Sequence, residues 1–537
     1  MRRPYWSSVL LGCALILLFL GSGCRCTRTP SPTSAPLPEP SVRLYLVSSL
    51  AGALEPCGCV KDMLGGADHF AALVKNESAS APRRLVLGAG PMLFMDPTLV
   101  AKRRDQDVFK ARAITDVLRG AGFSGWAPAA NDWAGGSQLL AEVTREGPGL
   151  FAANLKGPGF APGRVFDLGG ERVGVAGVSQ PAFPANGEKP VEVGDARAAL
   201  AASAQWLEQQ GARIRIALVA LPRGEALRLA EAVPGFQVML LGKPVDRGEA
   251  NDPATPPVLV GQTLVVEAQN HLQSVAVVDL FVRDGKYVFA DGSGIEAEER
   301  RVGLAARVHD LEVALSRSGG SAADREARKA DLERLKREMA SLTKPRELPA
   351  GSSFAYRLVE VREKLGTEPA SATRLAEFYK TVNEHNREAF KDVLPPPVPE
   401  GQSDYVGVEQ CAACHVSQRE FWEKTQHHKA YETLAVQNKQ FNLECVGCHV
   451  TGYEAPGGST VSHVEGLEDV QCEVCHGPGS RHIANPSDKL LISMPQPELC
   501  AAKCHHPPHV KPTWSAAEAW KLIVGPGHQR ARGPSAP

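Results

Sequence analysis

Hydrophobic and polar positions divide the chain into stretches of different character. From Ser41 to about Glu296, short apolar runs alternate with stretches of helical spacing. Val42–Leu50 (VRLYLVSSL), Arg84–Gly90 (RLVLGAG), Arg172–Ser179 (RVGVAGVS), Ile214–Pro222 (IRIALVALP) and Phe236–Gly242 (FQVMLLG) read as buried strands. Phe109–Arg119 and Ala198–Gln210 read as helices between them. The alternation predicts a layered α/β domain over 42–296. Further on, Leu304, Val308, Leu311 and Leu315 share one helical face, and after a Gly-Gly turn so do Leu332, Leu335, Met339 and Leu342. Two such stripes among charged residues predict an antiparallel hairpin. With a third helix expected over Ser371–Ala389, they form a helical spacer over 303–393. Leu394–Asp404 (LPPPVPEGQSD) is a stiff, proline-rich linker over 394–404. The remainder, 405–530, is expected to be a small domain, mostly α and irregular.

The N-terminus has a different pattern. Met1-Arg2-Arg3 precedes Val9–Leu20, an apolar run of 12 residues. That is short for a membrane span and suits a signal-peptide core. The run ends in LGSGCRC, which predicts a lipoprotein-type signal over 1–24 with Cys24 as the lipidated residue. A Pro/Ser-rich tether follows over 25–41. The chain is therefore expected to be exported, as a periplasmic or outer-membrane lipoprotein held to the membrane by its lipid.

Composition adds two constraints. A chain of 537 residues predicts about two to four domains. With 59 basic and 60 acidic side chains, nothing favours nucleic acid as a partner. Cysteine and histidine are concentrated at one end: eight of 13 cysteines lie between Cys411 and Cys504, and eleven of 15 histidines between His415 and His528.

That end carries a repeated word. Cys411-Ala-Ala-Cys414-His415, Cys445-Val-Gly-Cys448-His449 and Cys472-Glu-Val-Cys475-His476 are C-x-x-C-H, the attachment signature of c-type haem. Two thiols add to the vinyl groups of one porphyrin, and the adjacent histidine is placed under the iron. Cys500-Ala-Ala-Lys-Cys504-His505 is the same word expanded by one residue. Zinc ribbons use Cys pairs without a histidine after each one, a thioredoxin-like pair would be single, and structural disulfides would not repeat the word. Four haem c groups are expected, three on the unbroken words and one on the expanded word. His427, His428, His463, His482, His506, His509 and His528 can supply distal ligands. A porphyrin set of this density must itself form much of the small domain's apolar interior.

Resemblances extend this reading. FWEKTQHHKAYETL (Phe421–Leu434), CVGCHVTGY (Cys445–Tyr453), VQCEVCHGPGSRH (Val470–His482) and AWKLIVGPGH (Ala519–His528) resemble the tetrahaem cytochromes that serve hydroxylamine oxidation. The resemblance implies that His427, His482 and His528 are axial ligands. AAND (Ala129–Asp132), FAANL (Phe151–Leu155), GVAGVSQP (Gly174–Pro181) and VPGFQVMLLGK (Val233–Lys243) resemble the metallophosphoesterase domain of periplasmic 5'-nucleotidases. That family's dinuclear site needs Asp-x-His after the first strand and Gly-Asp after the second. This chain has SSLAG and GAGPM there, LPRG and LGKP at the later turns, and retains only Asn131 and Asp132. The domain is expected to keep the layered sandwich without the metals that activate water. EPCGC (Glu55–Cys59) is similar to a segment of degenerate nucleotidase-like domains joined to cytochromes; Cys57 and Cys59 could bind a metal, form a disulfide or only shape the loop.

The expected function is electron transfer to and from redox partner proteins, other cytochromes or a quinol-linked donor, with no catalytic residue. The alternatives are a multihaem reductase acting on a small nitrogen or sulfur oxyanion through a five-coordinate iron, and a 5'-nucleotidase-like hydrolase with a redox appendage.

Overall fold

The structure is a computed structural model that describes residues 38–56, 63–157, 159–181, 191–244, 250–316, 322–342, 348–506, 509–510 and 513–525. The expected signal and Cys24, most of the tether, Cys57, Cys59 and His528 lie outside the described residues.

The strands in chain order are β1 Val42–Ser48, β2 Arg84–Ala89, β3 Phe123–Ala127, β4 Gly149–Phe151, β5 Leu155–Lys156, β6 Phe160–Ala161, β7 Arg164–Leu168 and β8 Glu171–Ser179. They continue as β9 Glu192–Val193, β10 Ile214–Ala220, β11 Val238–Gly242, β12 Val258–Val260, β13 Thr263–Val266, β14 Ser274–Phe281, β15 Ala290–Asp291 and β16 Ser353–Glu360. They form an eight-stranded sheet, β15-β16-β14-β1-β2-β3-β4-β6, a six-stranded sheet, β12-β13-β11-β10-β8-β7, and the small ribbon β5-β9. Helices α1 Ala67–Asn76, α2 Arg104–Gly120 and α3 Ser137–Thr144 cover the larger sheet; α4 Ala196–Gln209 and α5 Arg223–Ala232 cover the smaller.

Strict alternation explains why these strands are apolar throughout. Val42, Leu44 and Leu46 enter the core between the sheets, while Tyr45 and Val47 face the helices. Ile214, Ile216, Leu218 and Ala220 likewise face inward, and Ala217 and Val219 outward. A strand covered on both faces needs no polar side. The two sheets meet tightly at their strand ends: a side chain at Gly242 would lie 2.0 Å from the Ala89 carbonyl oxygen.

The expected hairpin is present as α6 Ile295–Ser316 and α7 Ala322–Ser341. Leu304, Val308, Leu332 and Leu335 form its core, with Leu311, Leu315, Met339 and Leu342 packed on it. The rest of the region read as a spacer differs from that reading. β16 pairs along its whole length with β14, antiparallel from Ser274↔Glu360 to Phe281↔Ser353. After it, α8 Pro369–Ala389 buries Leu375, Phe378 and Val382 in the core beneath α1 and α2. The hairpin is thus an excursion between two strands of one sheet, and α8 is part of the sandwich. Pro at the first turn and the Glu368 carboxylate on the Ser371 N–H (2.8 Å) start α8.

The C-terminal region is built of short helices: α9 Val408–Ala412, α10 Val416–Trp422, α11 Ala430–Ala435, α12 Val446–His449, α13 Cys472–His476, α14 Ser480–Ala484, α15 Glu498–Lys503 and α16 Ala516–Ile523. Among the described residues, its hydrophobic cluster has four buried members, Val446, Val450, Val461 and Val464.

Candidate haem-binding site and the strand-end cleft

Each cysteine word occupies one helical turn. In the first, the His415 N–H donates to the Cys411 carbonyl at 2.9 Å, an i to i−4 bond. In the fourth, the His505 N–H donates to the Cys500 carbonyl at 2.8 Å, now i to i−5, and the Cys504 N–H shares that acceptor at 3.1 Å. The extra residue is absorbed by a π-type widening of the turn. The histidine N–H thus returns to the carbonyl of the first cysteine, as it does in the first word.

The imidazoles fall into pairs. His415 and His482 have ring centroids 6.4 Å apart with planes inclined by 25°, and His427 and His505 have centroids 6.2 Å apart. Two imidazoles bound to one iron from opposite sides, each through a metal–nitrogen bond of about 2 Å, place their centroids roughly 6 Å apart. The spacing therefore fits a haem iron between each pair. His449 Nδ1 faces the Ala430 carbonyl oxygen at 2.5 Å, and His476 Nδ1 the Ser493 carbonyl oxygen at 2.9 Å. Such a contact fixes the tautomer and leaves Nε2 for a metal. Burial holds His427, His449 and His505 below the usual imidazole range, in the neutral form that ligation needs.

The structure also separates ligand candidates that the sequence left together. His428 packs edge-on against Trp422 at 4.8 Å, and His463 Nε2 lies 2.8 Å from the Lys391 carbonyl oxygen. His427 is the member of its pair that faces another attachment word. His506 and His509 lie against each other at 5.2 Å.

Cysteines of different words meet. Cys411 and Cys472 lie close enough to act on each other, the first thiol being held up and the second drawn down. Cys504 is raised by a hydrogen bond with Cys448, and Cys475 lies close enough to Cys500 to feel its charge. These contacts place the words side by side in the order first, third, fourth, second. The residues present fit covalent haem. The eight thiols are not joined as disulfides, and large apolar side chains such as Leu490 (94% exposed) and Met494 (78%) face outward.

The second word abuts the α/β domain. Glu444, next to Cys445, pairs with Lys110 of α2 at 2.5 Å and with Arg103 at 3.7 Å. Burial pulls the Lys110 ammonium down, but Glu444 and Asp107 together more than restore it. Gln106 donates to Asn442 (3.0 Å) and accepts from Asn386 (3.0 Å) and from the Leu443 N–H (3.0 Å). Lys439 pairs with Glu55 (2.5 Å), which also accepts from the Tyr379 hydroxyl (2.8 Å). Burial raises that phenol far above its ordinary range. Glu444 meets the loop after β2, from Leu93 to Leu99, and Gly52 after β1 around one small crevice. The second word thus sits at the C-terminal ends of the strands.

Those strand ends are tied by short polar side chains. Ser48 Oγ donates to the Leu241 carbonyl (2.5 Å) and accepts from the Ala268 N–H (3.0 Å); Ser49 Oγ accepts from the Lys243 N–H (3.0 Å). Asn131 donates to the Phe94 and Met95 carbonyls. The buried Asp132 carboxylate accepts from the N–H groups of Met92, Leu93 and Ala129 and from the Trp126 indole, and burial still pushes it up to about 6. Both residues that the nucleotidase resemblance retains are thus committed to loop hydrogen bonds. Lys243 pairs with Asp252. Among the described residues, no group of three or more His, Cys, Asp or Glu side chains is placed to hold a metal ion.

Residues 410–477 match the family model of cytochrome c554 and c-prime. Cytochrome c-554 of Nitrosomonas europaea is 35% identical over 91 residues, covering 14% of this chain and 39% of that protein; the chain thus spans well under half the length of this relative. Among solved structures, the 5'-nucleotidase precursor of Thermus thermophilus is similar with a TM-score of 0.45 at 17% identity, over 68% of this chain and 62% of that one. The sulfate thiohydrolase SoxB of the same genus gives 0.44 at 13% identity, over 81% and 74%. The cytochrome likeness implies haem c and supports a multihaem c-type cytochrome module, here joined to an α/β domain of two helix-covered sheets. Among the described residues, no helix is long and apolar enough to cross a membrane.

Sequence reasoning singled out the cysteine words, His427 and His482 as candidates. It did not find the pairing of the imidazoles, the Lys110–Glu444 junction or the buried Glu473. An acid inside a short helical word was the available signal for Glu473.

Proposed function

We propose that this protein is an exported multihaem cytochrome that transfers electrons, with its α/β domain acting as a catalytically degenerate scaffold. The observation that carries the reading is the pair of facing imidazoles, His415 with His482 and His427 with His505, each at the separation expected across one iron. An iron held on both faces has no open position for a substrate. When bound, the haems supply reversible one-electron chemistry. Cys411, Cys414, Cys445, Cys448, Cys472, Cys475, Cys500 and Cys504 hold the porphyrins covalently. His415, His449, His476 and His505 would be the proximal ligands, and His427, His482 and His528 three of the four distal ones, the fourth coming from the other histidines of the region.

The reading is supported by the nearness of Cys411 to Cys472, of Cys475 to Cys500 and of Cys448 to Cys504, which would set the attachment points in one row. The row ends at the second word, which Lys110, Gln106 and Glu55 clamp to the sandwich. The scaffold reading is supported by the residue types at the strand ends, where serine, glycine, asparagine and lysine stand in place of a carboxylate–imidazole set. The reading includes a lipid anchor on Cys24 and redox partner proteins outside the cytoplasm.

The test is the intact mass and the oxidised electron paramagnetic resonance spectrum of protein matured with a c-type haem attachment system. Four covalent haems, all low-spin, are expected. A stoichiometric high-spin iron would transfer the assignment to a reductase, and the absence of covalent haem would sink it. Phosphatase activity with added divalent metal would overturn the scaffold assignment.

A further inference from the structure

Glu473 lies inside the third attachment word, between Cys472 and Cys475, and is only 3% exposed. Attachment chemistry does not call for an acid there: the corresponding residues of the other words are Ala412, Val446 and Ala501. The carboxylate serves other parts of the chain. Oε1 accepts from the N–H groups of Gly479 (2.7 Å) and Val406 (3.1 Å), and Oε2 from Gly407 (2.8 Å) and Val406 (3.1 Å). Val406 and Gly407 lead into α9, which carries Cys411, with His415 just beyond it; Gly479 leads into α14, which carries His482. The two segments are also joined directly, Ser480 N–H to Asp404 carbonyl at 3.1 Å and Asp404 N–H to Ser480 Oγ at 2.8 Å. One buried carboxylate therefore gathers the two stretches whose imidazoles face each other.

Its charge matters as well as its shape. Burial pushes the Glu473 carboxyl above the ordinary glutamate range and Asp404, of the same sign, adds to that, while the N–H groups of Gly407, Gly479 and Val406 act the other way and favour the anion. It lies close enough to act on the Cys411 and Cys472 thiols, the first attachment points of two words. A buried anion beside an iron favours the more positive, oxidised state, because little water screens it.

We propose that Glu473 is an anionic positioning residue, which fixes His482 opposite His415 and holds the reduction potential of the haem on Cys411 and Cys414 low. This rests on the haem-binding reading above.

The experiment uses the full chain matured with covalent haem, as wild type, Glu473→Gln, Glu473→Asp and Glu473→Ala. Glu409→Gln is the control, since that side chain is 77% exposed and pairs with Arg419 at the surface. Potentials are read by optical redox titration and spin states by electron paramagnetic resonance. Glu473→Gln is expected to favour reduction of one haem at least tenfold, a rise of about 59 mV for a one-electron couple. Glu473→Asp, which keeps the charge, is expected to stay near wild type in potential and low-spin. Glu473→Ala is expected to add a high-spin signal as His482 loosens. Glu409→Gln, screened by solvent, is expected to change the equilibrium less than about threefold. Superimposable wild-type and Glu473→Gln titrations, or an Asp variant shifted as far as the Gln variant, would overturn the proposal. A haem count by mass separates this from failure of the underlying reading, in which wild type itself carries no haem.

Discussion

The junction between Lys110 and Glu444 gives the sharpest energetic prediction. The two side chains are 12% and 21% exposed and 2.5 Å apart. Glu444→Gln removes the anion and leaves Lys110 in a place it occupies only because it is paired. Breaking a buried ion pair from one side costs about 3–5 kcal/mol. Asp107, whose charge also favours the Lys110 ammonium, remains, and Glu444 keeps some water, so the lower end, about 3 kcal/mol, is expected. The cost should fall on the local opening that frees the second attachment word from α2. The Leu443 N–H bonded to Gln106 and the Glu444 N–H bonded to Asn442 report that opening directly. At about 1.4 kcal/mol per factor of ten, their hydrogen exchange should accelerate about a hundredfold. Exchange followed by mass spectrometry on a peptide spanning 439–446 is the assay. The double variant Lys110→Met/Glu444→Leu replaces both charges with apolar groups and should recover most of the protection. An acceleration below about threefold in the single variant, or a double variant exchanging as fast as the single, would refute the reasoning.

The other predictions concern ligands, core and cap. His482→Ala should convert one low-spin haem to high-spin while the haem count by mass is unchanged; His428→Ala, which removes a contact with Trp422, should leave the spin states alone. Phe378→Ala, at 1% exposure between α8 and the larger sheet, should lower the stability of the sandwich by about 3–5 kcal/mol in denaturant titration. Glu368→Ala should cost about 0.5–2 kcal/mol at neutral pH by uncapping α8. The hydrogen bond from Lys75 and the Ser371 N–H hold the Glu368 carboxyl down at about 2. Its contribution is therefore complete above the ordinary glutamate range and is lost as pH falls through that range toward 2, so wild type and variant should converge in acid.

The parts of the fold legible in the sequence were those fixed by local pattern. β1, β2, β8, β10 and β11 announce themselves because both faces are covered, and the hairpin because its stripes meet each other and little else. β1 ended earlier than its apolar run. Ser49 and Ala51 turn the chain with φ of 42° and 49°, which no hydrophobic pattern signals. β16 stayed hidden because SFAYRLVE is mixed in character and half-exposed, and its partner β14 lies beyond the whole hairpin. The cysteine words were legible because the same spacing of two cysteines and a histidine repeats along the chain. The facing of His427 with His505 was not, since it depends on the path of the chain between them. Glu473 stood in the sequence as an acid inside a cysteine word, but its acceptor role was hidden for a related reason: it exists only once three separate segments have come together.

The place of β1 in the larger sheet has a consequence for how the molecule is assembled. A chain made from its N-terminus produces β1 and β2 early, but the other neighbour of β1 is β14, and β14 in turn awaits β16. Until residue 360 exists, a long apolar strand presents an open edge, which is the condition under which sheets join wrong partners. The α6–α7 hairpin can form meanwhile without help, since its contacts are local. The cysteine words come only after the last sheet strand has been made. The order of synthesis thus supplies every strand of the sandwich before Cys411, the first cysteine of the repeated words, so the second word can meet α2 in a sheet whose partners are all present.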